Sequence, residues 1–218
     1  MKKNSKAKVI RTKKFFRISI KDMKISQRII NGFVAVILLE IIIGGLGIFG
    51  MAEISAADKS LYEHQTKPLV YISQMVETVQ RMRAEVSYAM INYKNYALVS
   101  STKEKFEEYN TLYLENQQNF LDALESGEGS DIIGQAGEIY INEFVPKFQE
   151  ALTFISKGNI QNAEISLVLG ISSADELTVL LNQCFDNSNR DALAKSDSNQ
   201  RLFKLLSVAL LGVISVGL

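Results

Sequence analysis

Two apolar stretches, residues 29–52 and 202–218, bracket a long polar middle, and a strongly basic leader precedes the first of them. This layout constrains the chain more than any single motif does. It describes a hairpin through a membrane: a chain that leaves the cytoplasm, builds a domain outside and turns back. Such a topology suits a receptor better than an enzyme.

The leader, residues 1–28, holds Lys2, Lys3, Lys6, Lys8, Arg11, Lys13, Lys14, Arg17, Lys21, Lys24 and Arg28 against Asp22, a net +10 from eleven cations and one acid. The whole chain is formally neutral, so the remainder carries −10, nearly all of it in the middle region. Basic residues beside a membrane span stay cytoplasmic, and each adds roughly 1 kcal/mol of attraction to anionic lipid. A nucleic-acid-binding tail has similar composition, but the adjacent apolar span argues against it. The expected partner is membrane lipid, with no nucleic acid.

The first stretch, IINGFVAVILLEIIIGGLGIFGMA over residues 29–52, reads as a transmembrane helix. At about 1.5 Å per residue it covers roughly 36 Å, enough for a bilayer core of about 30 Å with some tilt. Its fourteen Ile, Leu, Val and Phe side chains supply roughly −4 to −8 kcal/mol of insertion free energy. Glu40, near the middle, costs on the order of +3 kcal/mol. Insertion wins. A cleaved signal peptide would have a shorter apolar run and a shorter basic leader. Gly45-Leu-Gly47-Ile-Phe-Gly50 matches the dinucleotide-binding glycine pattern in form, but follows no strand and opens no βαβ unit. These glycines have a better use. Glu40, Gly44, Gly47 and Met51 recur at spacings of four, three and four, so they share one helix face. Small residues let membrane helices approach closely, and an intramembrane acid faces protein rather than lipid. This face is expected to contact the second span or a second copy of the chain. The alternative is a protonated Glu40 tolerated by snorkelling or water defects.

The second stretch, LFKLLSVALLGVISVGL, has seventeen residues, short of the roughly 20 a span needs. It reads as a second membrane helix cut off before its end, with any output domain lying beyond Leu218.

Helix signals dominate the middle, where Pro68 and Pro146 are the chain's two prolines. Ile72, Met75, Val79, Met82, Val86, Ala89, Tyr93 and Tyr96 step by three and four in a continuous seam. A first helix is therefore expected from the span to about Tyr96, kinked between His64 and Pro68. Ser100-Ser101-Thr102 followed by Glu104 predicts a helix start, with Phe106, Tyr109, Tyr113, Phe120 and Leu124 inward. Ser126-Gly127-Glu128-Gly129-Ser130 is a breaker. A third helix over residues 131–156 turns Ile133, Ala136, Tyr140, Phe144, Phe148, Leu152 and Ile155 inward and bends at Pro146. Gly158-Asn159 is a tight connection to a fourth helix. That helix is expected to break near Gly170 and to restart at Ser172 or Ser173, with Asp175 and Glu176 in its first turn and Leu177, Leu181 and Cys184 inward. Four helices with short connections predict an all-α, antiparallel up-down bundle over residues 53–201. The aromatic and methionine stripes are its core. Cys184, alone in the chain, forms no intramolecular disulfide.

Taken together, the leader ending KDMKISQRIINGF, the glycine-bearing span, and LYEHQTKPLVYISQMVETVQRMRAEVSYAMINY resemble the start of bacterial methyl-accepting chemotaxis receptors. More narrowly, they are similar to the four-helix-bundle sensory domain of that family, and FISKGNIQNAEISLVL resembles its junction between third and fourth helices. Related bundles occur on sensor histidine kinases and cyclic-dinucleotide enzymes. The resemblance implies a homodimer in the cytoplasmic membrane, with its N-terminus cytoplasmic and the bundle outside. It implies a small ligand, or a docked solute-binding protein, near the membrane-distal dimer interface. Ligand would shift the last helix by a small amount. Kinase-coupling proteins would be partners only if the output domain is chemotactic.

In the amino-acid-sensing members, arginines of the first helix hold the ligand carboxylate, and the start of the last helix helps. The matching region here contains Arg81 and Arg83. Arg81 stands four residues from both Glu77 and Glu85, so intrahelical pairing satisfies it. Arg83 has Val79 and Ser87 at those positions, and a guanidinium free at an interface suits bidentate carboxylate capture. Arg83 is the stronger candidate; the alternative is that both are solvated or pair with acids of a neighbouring helix. Ser173 and Thr178 are further candidates from the last helix. Catalysis fares poorly. One histidine, His64, excludes any site needing two from one chain, and a Cys184–His64 pair would need residues at different heights. No Glu-x-x-His pair of a di-iron bundle occurs. No catalytic residue, metal or other cofactor is expected. A stand-alone, membrane-anchored binding module is the remaining alternative.

Overall fold

The computed structural model describes residues 24–124 and 130–217; the leader up to residue 23 and the breaker at residues 126–129 lie outside it. Among the described residues every element is helical: α1 (Ile25–Leu61), a wide turn Tyr62–Thr66, α2 (Lys67–Ile91), α3 (Tyr96–Ala123), α4 (Ser130–Ile139), a second wide turn Tyr140–Phe144, α5 (Val145–Ser156) and α6 (Ile160–Gly217). The chain divides into two compact units.

The described part of the first unit comes from residues up to Phe49 and from Ala209 onward. Its portion of α1 presents Ile30, Phe33, Ile37 and Ile41 outward, and an 18-residue window there has mean hydropathy 2.5. By length and composition this helix is able to cross a membrane, and no other described helix passes the same test.

The second unit, Gly50–Val208, is built from four helical rods. Directions follow from the cross-links. Glu85 accepts from Lys105 near the Asn92–Asn95 turn, while His64 meets the Ala123 carbonyl far from it, so α2 and α3 are antiparallel. Ser156 accepts from Lys103, and Asn110 accepts from Tyr140, so the third rod runs back along α3. Arg83 reaches Asp175 and Gln80 reaches Thr178, which sets α6 antiparallel to α2. An up-down bundle results. Its core is the expected seam: Ile72, Met75, Val79, Met82, Val86 and Ala89 from α2, Phe106, Tyr113 and Phe120 from α3, Ile133, Ala136, Tyr140, Phe144, Phe148, Leu152 and Ile155 from the third rod, and Leu177, Leu181 and Cys184 from α6 are all buried. An aromatic ladder runs through it. Tyr113 stacks on Tyr140 at 3.6 Å between ring centroids, Phe144 on Tyr140 at 5.4 Å, and Phe148 tilts against Phe144 at 4.7 Å. Tyr109 and Leu124, expected inward, are partly buried at its edge.

Three boundaries differ from the sequence reading. First, the helix that enters from α1 ends at Ile91 rather than near Tyr96, which is 74% exposed. Asn92 turns its side chain onto the Tyr88 carbonyl, and Asn95 accepts the Leu98 N–H as an N-cap. The two asparagines stop one helix and start the next, overriding the tyrosine spacing. Secondly, α3 therefore starts at Tyr96, and Ser101, expected in its first turn, lies inside it with its hydroxyl on the Leu98 carbonyl. Thirdly, α6 does not break at Gly170; it is one helix of 58 residues. Gly170 instead permits a close approach, since a Cβ there would lie 2.8 Å from the Phe148 ring. Ser173 is helical, with its hydroxyl donating to the Leu169 carbonyl.

The two prolines sit in equivalent places. Each occupies the second position of its helix, directly after a wide turn whose closing N–H reaches five residues back, Lys67 to Tyr62 and Val145 to Tyr140. A proline ring clashes with the carbonyl four residues earlier; here those carbonyls belong to His64 and Asn142, inside the wide turns. At the far end of α5, Gly158 adopts φ +71, a left-handed helix cap that other residues resist.

Candidate functional site

The register of α2 decides where its two arginines point. Val79, Met82 and Val86 face the core, which puts residues 80 and 83 on the flank toward α6 and residues 81 and 85 on the flank toward α3. The contacts agree. Arg83 Nη1 donates to Asp175 Oδ1 at 2.7 Å, and Gln80 Nε2 donates to Thr178 Oγ1 at 3.2 Å. Arg81 turns the other way, with Nε and Nη2 on Glu77 Oε1 at 3.0 and 2.6 Å. The Glu77 carboxylate, and after it the Tyr109 hydroxyl, push the Arg81 guanidinium above its ordinary value.

The four predicted ligand residues therefore separate. Arg83 and Thr178 share the α2–α6 seam. Arg81 lies across the helix, in a shallow groove with Ala84, Glu85, Tyr88 and Tyr109. There Glu85 accepts from Lys105 at 2.9 Å and raises that ammonium's pKa. Ser173 is nearly buried, its hydroxyl donating toward Glu143 at 3.3 Å and Leu169 at 3.2 Å, so it serves the contact between α6 and the wide turn Tyr140–Phe144.

Sequence spacing found the Arg81–Glu77 pair; Arg83, expected to be free at an interface, instead pairs with Asp175 of α6, the alternative in which it meets an acid of a neighbouring helix. That pair is accessible: Arg83 is 33% and Asp175 63% exposed at the side chain. A guanidinium held by one exposed carboxylate is chemically suited to exchange it for the carboxylate of a ligand. Gln80 and Thr178 beside it add an amide and a hydroxyl to the same seam, and Gln80 was not foreseen.

On the α1 face of Glu40, Gly44, Gly47 and Met51, a Cβ at Gly44 or at Gly47 would meet nothing within 4 Å, and Glu40 and Met51 are exposed. Within the second unit, Gly50 packs against the Leu206 side chain at 3.6 Å. Among the described residues no group of three or more His, Cys, Asp or Glu is placed to hold a metal ion. Cys184 is buried, and burial pushes its thiol up to about 11, away from the nucleophilic thiolate.

Comparison with known proteins yields a family. A model described as a four helix bundle sensory module for signal transduction matches residues 22–203. No curated protein and no solved structure matches the chain. The matched module is a signalling domain rather than an enzymatic one, and its span covers α1 to α5 and α6 as far as residue 203. The chain belongs to the family of four helix bundle sensory modules for signal transduction.

Proposed function

We propose that this chain is the sensing and transmembrane-signalling part of a chemotaxis-type receptor. The observation that carries the reading is α6: one helix without a break from Ile160 in the bundle to Gly217 in the second apolar stretch. A displacement imposed on its bundle portion has a covalent, hydrogen-bonded route toward the output side, and packed helices shift between discrete arrangements.

In this reading residues 29–52 span the cytoplasmic membrane, 53–201 form the extracytoplasmic sensory bundle, and 202–218 begin the second span. The leader of residues 1–28 stays cytoplasmic and holds anionic lipid. Two copies pair, and the face formed by Glu40, Gly44, Gly47 and Met51 is their helix contact or that of the second span. A small carboxylate, or a solute-binding protein, acts on the α2–α6 seam. Arg83 captures the carboxylate in exchange for Asp175, and Thr178 assists. Kinase-coupling proteins are partners only if the chain is joined to a chemotactic output domain.

The deciding experiment is to read the genomic frame beyond the Leu218 codon. A two-helix linker followed by long heptads supports the receptor. A His box with ATP-binding glycines, or a cyclic-dinucleotide catalytic domain, transfers the same sensor to a kinase or to that enzyme class. An immediate stop refutes transmembrane signalling and leaves a membrane-anchored binding module.

A further inference from the structure

The third rod has a spacing fault that the structure repairs in one place. Ile133, Ala136 and Tyr140 follow the usual three-and-four rhythm, but Tyr140, Phe144, Phe148 and Leu152 are each four apart. In an α-helix of 3.6 residues per turn, each four-residue step overshoots by about 40°, so three steps would swing Leu152 roughly 120° off the inward face. All four side chains are nonetheless buried. The wide turn Tyr140–Phe144 absorbs the excess, with the Val145 N–H reaching back to the Tyr140 carbonyl. Extra residues in a heptad row unwind a helix locally in this way, and Pro146 holds the turn open by its clash with the Asn142 carbonyl.

On the far side of the turn, α5 is keyed to α6. The Phe148 ring occupies the place of the missing Gly170 side chain, 2.8 Å from where its Cβ would stand. Glu143, inside the turn, accepts from a Ser173 hydroxyl that also has the Leu169 carbonyl within reach, so this link breaks without stranding a donor. Before the turn, α4 is held to α3 by Gln117 on the Ile133 carbonyl.

We propose that the wide turn Tyr140–Phe144 is a register joint: α5, keyed to α6 by Phe148 in the Gly170 notch, slips relative to α4, and the turn takes up the difference. Single-turn π-bulges recur at functional sites, and helix shifts in signalling are about 1–2 Å. Use of the joint for relaying ligand occupancy rests on the sensory reading above. The joint itself is a property of the unliganded chain and is tested without any ligand, so the two can fail separately.

The test is hydrogen exchange of the full chain in lipid nanodiscs, resolved by peptide. Amides of residues 141–145 and 147 are expected to exchange at least tenfold faster than those of α4 and of residues 148–155. Deleting Ile141, an exposed side chain, returns the inward residues to three-and-four spacing. That deletion is expected to slow exchange across the turn at least tenfold and to leave α2 and α3 unchanged. Gly170→Ala is the second variant: faster exchange confined to residues 141–155 and the start of α6, reversed by adding Phe148→Leu. Equal protection of the turn and α4 in the wild type overturns the joint. So does an Ile141 deletion that fails to fold, since the residue is then not surplus, or a Gly170→Ala effect spread over all four rods.

Discussion

Tyr113 carries a prediction of unusual sign. Its side chain is fully buried, stacked on Tyr140, and among the described residues its hydroxyl has no hydrogen-bond partner. An unsatisfied buried donor costs about 1–3 kcal/mol. Tyr113→Phe removes that group while keeping the ring and its stacking, and the void left by one oxygen returns only a few tenths of a kcal/mol. The variant is therefore expected to be more stable by about 1–2 kcal/mol. For a domain of this size that is a rise in Tm of roughly 2–8 °C. Tyr140→Phe is the matched control. Its hydroxyl donates to Asn110 Oδ1 at 2.9 Å, so its loss is expected to destabilise by about 1 kcal/mol. Helical circular dichroism during heating and during denaturant titration reads both. If Tyr113→Phe destabilises by as much as Tyr140→Phe, the hydroxyl has a partner, such as a bound water, and the reasoning from an orphaned donor is wrong.

Further predictions concern the seam, the turns and the pH dependence. Arg83→Ala is expected to abolish calorimetric carboxylate binding by the full chain while changing stability by under about 1 kcal/mol, because its ion pair is solvent-exposed; equal binding by wild type and variant refutes the Arg83 role. Asn95→Ala is expected to cost about 1 kcal/mol through the lost cap of α3, and an unchanged melting curve counts against that cap. Burial raises the Cys184 thiol from 9.0 to about 11, so the unfolded chain loses this proton first. Stability is fully present below about pH 9 and falls as pH climbs toward 11. Burial also raises the Tyr113 and Tyr140 hydroxyls, which extends the loss above pH 10. Cys184→Ala should remove the earliest part of that decline in denaturant titrations, and a wild-type stability that stays flat to pH 10 contradicts the assignment.

Periodicity made most of the bundle legible. The α2 seam and the inward face of the third rod could be read residue by residue because burial enforces it. What escaped was local chemistry with two readings. Tyr93 and Tyr96 continue the seam on paper, yet Asn92 and Asn95 offer the backbone better partners than another helical turn. Gly170 looks like a breaker in sequence; its role appears only when Phe148, twenty-two residues away, is brought against it. The site divides similarly. Glu77 lies within one turn of Arg81 and was found from spacing, whereas Asp175 is ninety-two residues from Arg83 and is visible only once α6 lies antiparallel to α2.

The buried thiol of Cys184 has a practical consequence. It is shut inside the core and holds its proton at neutral pH, so an alkylating reagent meets it as a thiolate only when the bundle opens. Its rate of modification is thus a clock for core opening, readable by mass in intact cells without any introduced label. Cysteines placed elsewhere on the surface can be followed against it in the same sample, the fast signal reporting position and the slow one reporting integrity.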